Sequence, residues 1–159
     1  MARTLRLRYE VWSKEATLRP DVVAQGLITD WHDAHARHWA VFDGDSIVAA
    51  ARMCVHGRQE ETPDYPPFSR IRLPAPVATI NRLVVHPTAR NHGLASKLDE
   101  RRITAAREDG AKCVVGTAAR SRIAPLERLG FRLIEEKEHW LQHYTESVLF
   151  YPMVLHLES

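Results

Sequence analysis

The sequence predicts a single α/β domain, with a mixed sheet and helices packed on both faces. Three observations carry that prediction. Asp43-Gly44 sits between two apolar runs, the mark of a tight hairpin whose turn needs positive φ. A strand-like run over 77–85 passes through a turn containing Gly93 into a long helical stretch. Two further runs rich in strand formers close the chain. At 159 residues the chain has the length of one domain, enough to bury a core without disulfide staples.

Taken in order, residues 4–16 place Leu5, Tyr9, Trp12 and Ala16 on one helical face. Pro20-Asp21 opens a second helix, expected to run to about Ala36. Residues 38–42 and 46–50 are the two arms of the hairpin, the second continuing to Val55. Five of the nine prolines then fall within 57–76, at Pro63, Pro66, Pro67, Pro74 and Pro76. Proline fixes φ and removes a ladder donor, so this stretch reads as a loop, and we expect it to act as a substrate-side flap. A strand over 77–85 and a helix over 89–109 follow, with Leu94, Leu98, Ile103 and Ala106 near one face and Gly110 as the stop. Residues 113–117 are a short buried strand, and 121–129 a short helix ended by Gly130. Residues 131–141 and 147–157 form a final antiparallel pair, and Pro152 makes the last strand an edge or gives it a bulge.

Composition excludes whole classes. With 45% hydrophobic and 26% charged residues the chain is neither disordered nor a disulfide scaffold. The 22 Lys+Arg nearly balance 20 Asp+Glu, and a formal charge of +2 is too small for a nucleic-acid footprint. No apolar run approaches the roughly 20 residues of a membrane span, and Met1-Ala2-Arg3-Thr4 leads into no apolar leader core. Cys54 and Cys113 stand alone without metal-ligand spacing, so no metal is expected, and they read as small buried hydrophobes. The expectation is a cytoplasmic domain that binds neither nucleic acid nor membrane; a homodimer is an open alternative.

The most informative segment runs from Leu83 through His86-Pro87-Thr88-Ala89-Arg90-Asn91-His92-Gly93 to Ala95 and Ser96. A strand ends at a proline, a turn follows, and a helix starts on small residues. A helix N-terminus presents unpaired N–H groups and partial positive charge, which suits a pyrophosphate. Arg90 adds a full charge at the rim. The alternative is that Gly93 merely allows close helix–sheet packing. A nucleotide P-loop and a dinucleotide glycine motif are both excluded, since neither Gly-Lys-Ser/Thr nor G-x-G-x-x-G occurs here.

Arg90-x-x-Gly93-x-Ala95, preceded by Arg82-Leu83-Val84-Val85-His86-Pro87, resembles the R/Q-x-x-G-x-G/A signature of the GCN5-related N-acetyltransferases. Leu126-Glu127-Arg128-Leu129-Gly130-Phe131 is similar to that family's later Y-E-K-L-G-F run. The resemblance implies a mostly antiparallel sheet with a parallel splayed pair. It implies acetyl-CoA or another acyl-coenzyme A as co-substrate, and transfer to a primary amine of a small molecule or peptide in a ternary complex. Backbone of Leu83, Val84 and Val85 would hold the pantetheine arm. Arg90, Asn91, His92, Gly93, Leu94, Ala95 and Ser96 would hold the pyrophosphate. The family's usual carboxylate and tyrosine have no counterparts: the strand offers Thr79, Asn81 and Arg82, and the tyrosine position is Leu126. Asn81, His86 and Tyr144 are the remaining catalytic candidates, with His143 beside Tyr144 near the last hairpin turn. A non-catalytic acyl-CoA-binding or sensing domain is the alternative these losses suggest.

The N-terminal half also resembles the autoinducer (acyl-homoserine-lactone) synthases of the same fold. Arg8-x-x-x-Trp12, Asp30-x-x-Asp33, Arg52 and Thr79-x-x-Arg82 follow their R-x-x-x-F, D-x-x-D, Arg and E-x-x-R spacing, with Thr79 in place of the glutamate. Arg8, Asp30, Asp33, Arg52 and Arg82 are therefore substrate-binding candidates, the other reading being a structural ion-pair network. An N-acyl amino acid or autoinducer-type synthase is a further alternative. His32, His35 and His38 recur every three residues, a spacing that drifts around a helix, and read as a solvated face rather than a metal site.

Overall fold

The computed structural model describes residues 1–63, 66–135, 137–140, 143–145 and 147–157, with backbone alone at 66, 137–140, 147 and 148. Helices α1 (Ala2–Trp12) and α2 (Pro20–Gln25) lead into the hairpin β1 (Arg37–Asp43) and β2 (Ser46–His56). After the proline-rich segment come β3 (Val77–Val85), α3 (Leu94–Glu108), β4 (Cys113–Ala118) and α4 (Ile123–Arg128). The chain closes with β5 (Arg132–Leu133), β6 (Lys137–Trp140) and β7 (Ser147–His156). The sheet runs β1-β2-β3-β4-β7-β5, with β6 also on β7. Every pairing is antiparallel except β3 with β4. The expected mixed sheet with one parallel pair is therefore present.

Alternation along the strands divides the core. Met53, Ala78, Ile80, Val114 and Met153 pack with Ile103 and Ala106 of α3 and Leu126 of α4. On the opposite face Ala50 and Val84 meet Leu7 and Val11 of α1. Further along that face Val77, Val115 and Val154 meet Phe68 and Leu73 of the proline-rich segment. Among the described residues no helix is long and apolar enough to cross a membrane.

Several expectations change. The first helix stops at Trp12; Leu5 is buried as expected and Tyr9 and Trp12 are partly buried, but the rest of the buried stripe is Thr4, Leu7, Arg8 and Val11, and Ala16 lies beyond the helix. A buried Arg8 hides this stripe from a hydrophobicity pattern. The second helix ends at Gln25, because Gly26 turns left-handed and its N–H bonds the carbonyls of Val22 and Val23. The chain to Ala36 contains instead a 3-10 turn at Trp31–Ala34. Segment 57–76, expected as a substrate-side flap, is packed on the sheet through Phe68, which is 1% exposed. Gln59 pins the segment, its Nε2 donating to Phe68 O (2.8 Å) and Ile71 O (2.7 Å) and its Oε1 accepting from Leu73 N (2.9 Å). The long helix begins at Leu94 rather than Ala89, since Asn91 and Gly93 are left-handed.

Strand β7 is not an edge despite Pro152, for it lies between β4 and β5. Pro152 O accepts from Ile134 N (2.9 Å), so its missing donor faces the gap where β5 ends and β6 has not begun. Leu141, the expected end of the penultimate strand, lies outside the described residues.

Candidate active site

Strands β3 and β4 pair over three positions only, Val77–Thr79 against Cys113–Val115, and then separate. Gly116 sits where they part, and a Cβ there would lie 2.8 Å from Ile80 O. Only glycine lets the backbones come that close. Beyond this point β3 keeps its β2 neighbour, with Ala50 opposite Val84 and Ala49 opposite Val85. Toward β4 the ladder has ended. Backbone of Leu83, Val84 and Val85 thus has no strand partner on its β4 side among the described residues, the kind of edge where an extended chain can pair as an added strand.

The crevice where the two strands part is shaped by a bulge. Arg82 takes φ 53°, and the β2–β3 register slips between Ala50 and Arg52. A bulge re-aims the amides beside it. Buried Arg102 of α3 holds it in place, its Nη1 donating to Asn81 O and Arg52 O, both at 3.2 Å. Arg102 in turn pairs with Asp99, which also pairs with Arg122. Thr79, Ile80 and Asn81 line a small cavity with Val115, Gly116 and Thr117, covered by Pro63 and Phe68.

At the far end of β3 the chain builds an anion cradle. His86 Nδ1 meets Thr88 Oγ1 at 2.7 Å and accepts from Thr88 N (3.3 Å), closing the turn at Pro87–Ala89. Asn91 (φ 64°) and Gly93 (φ 72°) are both left-handed, turning the chain sharply into α3. The first helical bond runs from Lys97 N to Gly93 O, so the amides of Leu94, Ala95 and Ser96 have no partner within the helix. No side chain caps them, and the first turn holds no acid. A Cβ on Gly93 would meet nothing within 4 Å, so the turn leading into these amides is open at that point. Free amides, a positive helix end and an open turn fit a pyrophosphate. Arg90 is turned elsewhere: its Nε donates to Val85 O (3.2 Å) and its Nη2 pairs with Glu15. The His92 ring lies 3.3 Å from Ala89 O.

On the α1 face of the sheet, below the bulge, all five N-terminal candidates meet in one ion network. Arg8 pairs with Asp33 at 2.9 Å. Arg52 reaches Asp30 at 2.5 Å and Asp33 at 3.0 Å, and Arg82 reaches Asp30 at 2.8 Å. Arg52 Nε also donates to Asn81 Oδ1 (2.8 Å). Asp33 Oδ2 accepts from Asp30 N (3.0 Å), and Asp30 Oδ1 from His32 N (3.0 Å), so the same carboxylates shape the Trp31–Ala34 turn. Arg8 and Arg52 are 0% exposed. Burial pushes the Asp30 carboxyl up, but the Arg52 hydrogen bond and the charges of Arg82 and Arg52 hold it well below the usual range. Burial outweighs Asp33 at Arg8 and lowers its pKa, whereas at Arg52 burial is overcome by Asp30 and Asp33. Arg8 Nε, Arg8 Nη2 and Arg52 Nη2 are buried without hydrogen-bond partners among the described residues.

The catalytic candidates divide. Asn81 lies on the crevice but its side chain accepts from Arg52. His86 is committed to its turn. Tyr144 packs beside Leu18, Val22 and Ile28, and burial pushes its phenol to about 12, so it keeps its proton at neutral pH. His143, a neighbour in sequence, is drawn into the network, with Nε2 3.0 Å from Arg82 Nη2. Burial first, then the charge of Arg82, pushes its pKa down to about 4, so it is a neutral acceptor.

His32, His35 and His38 do not converge. His38 Nε2 lies 2.9 Å from Asp33 O, and His35 stacks edge-on with Trp31. His32 meets Cys54 and His56 instead. Sequence reasoning missed that grouping, although Cys-x-His on a strand puts both side chains on one face.

Comparison with known proteins places this geometry. The Acetyltransferase (GNAT) family profile matches residues 2–131. No significant match is found among curated proteins. An acyl-CoA N-acyltransferase from Pseudomonas aeruginosa superposes with TM-score 0.62 at 20% identity, over 96% of this chain and 87% of that one. A Bacillus subtilis acetyltransferase in complex with CoA gives 0.56 at 13% identity, over 87% and 84%. The CoA-dependent acyl-homoserine lactone synthase BjaI, solved with MTA, gives 0.69 at 15% identity, over 99% and 75%. At such identities the likeness is one of fold, and with the sequence match over 2–131 it shows that the chain belongs to the GNAT acetyltransferase family, whose co-substrate is acetyl-CoA or coenzyme A.

Proposed function

We propose that this chain transfers an acyl group, acetyl in the simplest case, from acyl-coenzyme A to a primary amine of a small molecule or peptide. The observation that carries this reading is the continuity of the crevice with the cradle. Strand β3 supplies an unpaired backbone edge and then, within a few residues, the free amides of Leu94, Ala95 and Ser96. An elongated ligand with a pyrophosphate at one end and an amide-bearing arm at the other matches both. The co-substrate brings a thioester, an acyl group already activated toward amines.

The chain's own part is positioning and polarisation. The cradle amides hold the phosphates, and the open edge of β3 takes the arm by main-chain hydrogen bonds. The bulge at Arg82 aims the amides beside it into the crevice, where an N–H can meet the carbonyl oxygen as negative charge grows on it. The amine nitrogen forms the new C–N bond as the C–S bond breaks; nitrogen gives up one proton and the departing sulfur takes one. Tyr144 keeps its proton at neutral pH but packs beside Leu18, Val22 and Ile28, so we assign no dedicated acid. No Asp or Glu is free on β3 to take the amine's proton, so we assign no dedicated base.

The test is Gly93→Glu. It puts a carboxylate on the turn leading into the cradle amides, and we expect acetyl-CoA binding measured by calorimetry to be lost. Undiminished affinity in a folded variant would overturn the assignment. Thiol release from acetyl-CoA across a panel of amines separates an acyltransferase from a domain that only binds or senses acyl-CoA. A second reading is favoured by the ion network: its net positive cluster and the fold shared with BjaI suit an acceptor carrying a carboxylate beside its amine, as in an N-acyl amino acid or autoinducer-type synthase. Preference for amino-acid amines within the same panel decides for it.

A further inference from the structure

Cys54 and His56 alternate with Val55 along β2, so both point to the face that carries α1 and the Trp31–Ala34 turn. His32 reaches toward them from that turn. One ligand-capable atom from each of the three lies within 4.8 Å of the other two. Both strand residues are buried, and His32 is half-buried.

The three side chains stand where one ion could touch all of them. The His32 and His56 rings meet edge to face, with centroids 5.6 Å apart and planes at 81°. Two imidazoles bound tetrahedrally to one ion through bonds of about 2.0–2.1 Å place their ring centres roughly 5 Å apart. The ligand atoms, within 4.8 Å of one another, must close by up to about 1.4 Å on the widest pair to reach the roughly 3.4–3.6 Å of a tetrahedral set, a movement that side-chain rotation supplies. His56 Nε2 lies 3.0 Å from Thr79 Oγ1. With Nε2 donating, the Nδ1 lone pair is left for a metal, the outer-shell hydrogen bond that metal-bound histidines normally make. His32 is held as well, because its N–H is bonded to Asp30 and the Asp30–Asp33 capping box fixes the turn.

We propose that His32, Cys54 and His56 bind one divalent cation of the zinc class, with the fourth position open to water or to an incoming ligand. Two nitrogens and one sulfur select Zn²⁺ and exclude Mg²⁺ and Ca²⁺, which take oxygen. As the ion binds, a metal–sulfur bond forms and the Cys54 proton leaves to solvent, while both histidines coordinate as neutral rings. The ion then clips the Trp31–Ala34 turn to β2. Thr79 extends its influence to the crevice, since the same hydroxyl that bonds His56 belongs to a residue lining the cavity between β3 and β4.

The experiment uses the full chain, stripped with a chelator and titrated first with Zn²⁺ against a chromophoric competitor, then with Co²⁺. We expect one equivalent of Zn²⁺ to bind. Co²⁺ should give the intense visible bands of a four-coordinate site together with a thiolate-to-cobalt charge-transfer band. Cys54→Ser should remove the charge-transfer band and weaken Zn²⁺ binding by about 100-fold. Cys113→Ser should leave both unchanged. Absence of stoichiometric binding, a cobalt spectrum lacking the thiolate band, or wild-type affinity in folded Cys54→Ser would each overturn the proposal. Should Cys54→Ser not fold, the cobalt spectrum of Cys113→Ser decides, since Cys54 is then the one thiol left.

Discussion

Two substitutions in the ion network, Arg52→Met and Asp33→Asn, should differ in cost in an order set by what each leaves behind. Arg52 touches both carboxylates, yet removing it leaves each with a partner: Asp33 keeps Arg8 at 2.9 Å and Asp30 keeps Arg82 at 2.8 Å. Methionine also fills most of the vacated volume. Breaking a buried pair by removing one partner costs about 3–5 kcal/mol, and this case belongs at the lower end. Asp33→Asn keeps an acceptor for Asp30 N, so the turn survives, but it leaves Arg8 with no anion in hydrogen-bond contact. Arg8 is 0% exposed, and burial already lowers its pKa despite Asp33, so its charge is poorly compensated even in the native protein. The loss should approach the upper end, about 5 kcal/mol. For a chain of this size about 1 kcal/mol moves the melting temperature by about 2–4 °C. Arg52→Met should therefore fall by about 6–12 °C, and Asp33→Asn by more. Urea and thermal denaturation followed by circular dichroism give both values. The reverse order, or losses below about 1 kcal/mol for both, would refute the view that compensation of Arg8 rests on Asp33.

Two further outcomes are expected. Gly116→Ala drives a methyl to within 2.8 Å of Ile80 O, a backbone atom with little freedom to yield, so the β3–β4 junction must widen. We expect a loss of about 1–3 kcal/mol together with a raised KM for acetyl-CoA; an unchanged KM would show that the junction does not set the crevice. His143, held near 4 against an ordinary value of 6.5, favours the folded state fully above pH 6.5. As pH falls toward 4 the unfolded chain takes up the proton first, and up to about 3 kcal/mol is lost across that window. His143→Gln should lack this loss between pH 6.5 and 4; an identical pH profile in both proteins would exclude His143 as its source.

Much of the fold was legible because its signals are local. Asp43-Gly44 marked the hairpin, and Gly44 does take φ 55°. Arg90-x-x-Gly93-x-Ala95 marked the cradle because a left-handed glycine before uncapped amides is a local demand on sequence. The role of Arg90 was less legible, since its partners Glu15 and Val85 are fixed by tertiary contacts. The helix expected to reach Ala36 failed at Gly26, because Pro20-Asp21 marks where a helix starts and the left-handed cap that stops it was not read. Arg8, Arg52 and Arg102 are buried cations, and a polarity pattern assigns such residues to the surface. The Asp99–Arg102–Arg122 network left no trace in the reading for that reason. Cys54 and His56 were separable from ordinary strand residues only once His32 was seen above them.

The pinning of segment 57–76 by Gln59 bears on how such a protein diversifies. Pro63 and Phe68, which close the cavity between β3 and β4, belong to an irregular segment and not to the sheet. Exchanging them alters the depth and width of that cavity while the bulge, the cradle amides and the β3 edge stay as they are. The shape of that cavity can therefore change through its cover alone, leaving the sheet that frames it intact. Gln59 sets the boundary of that freedom, because its three hydrogen bonds hold the cover in register on the sheet.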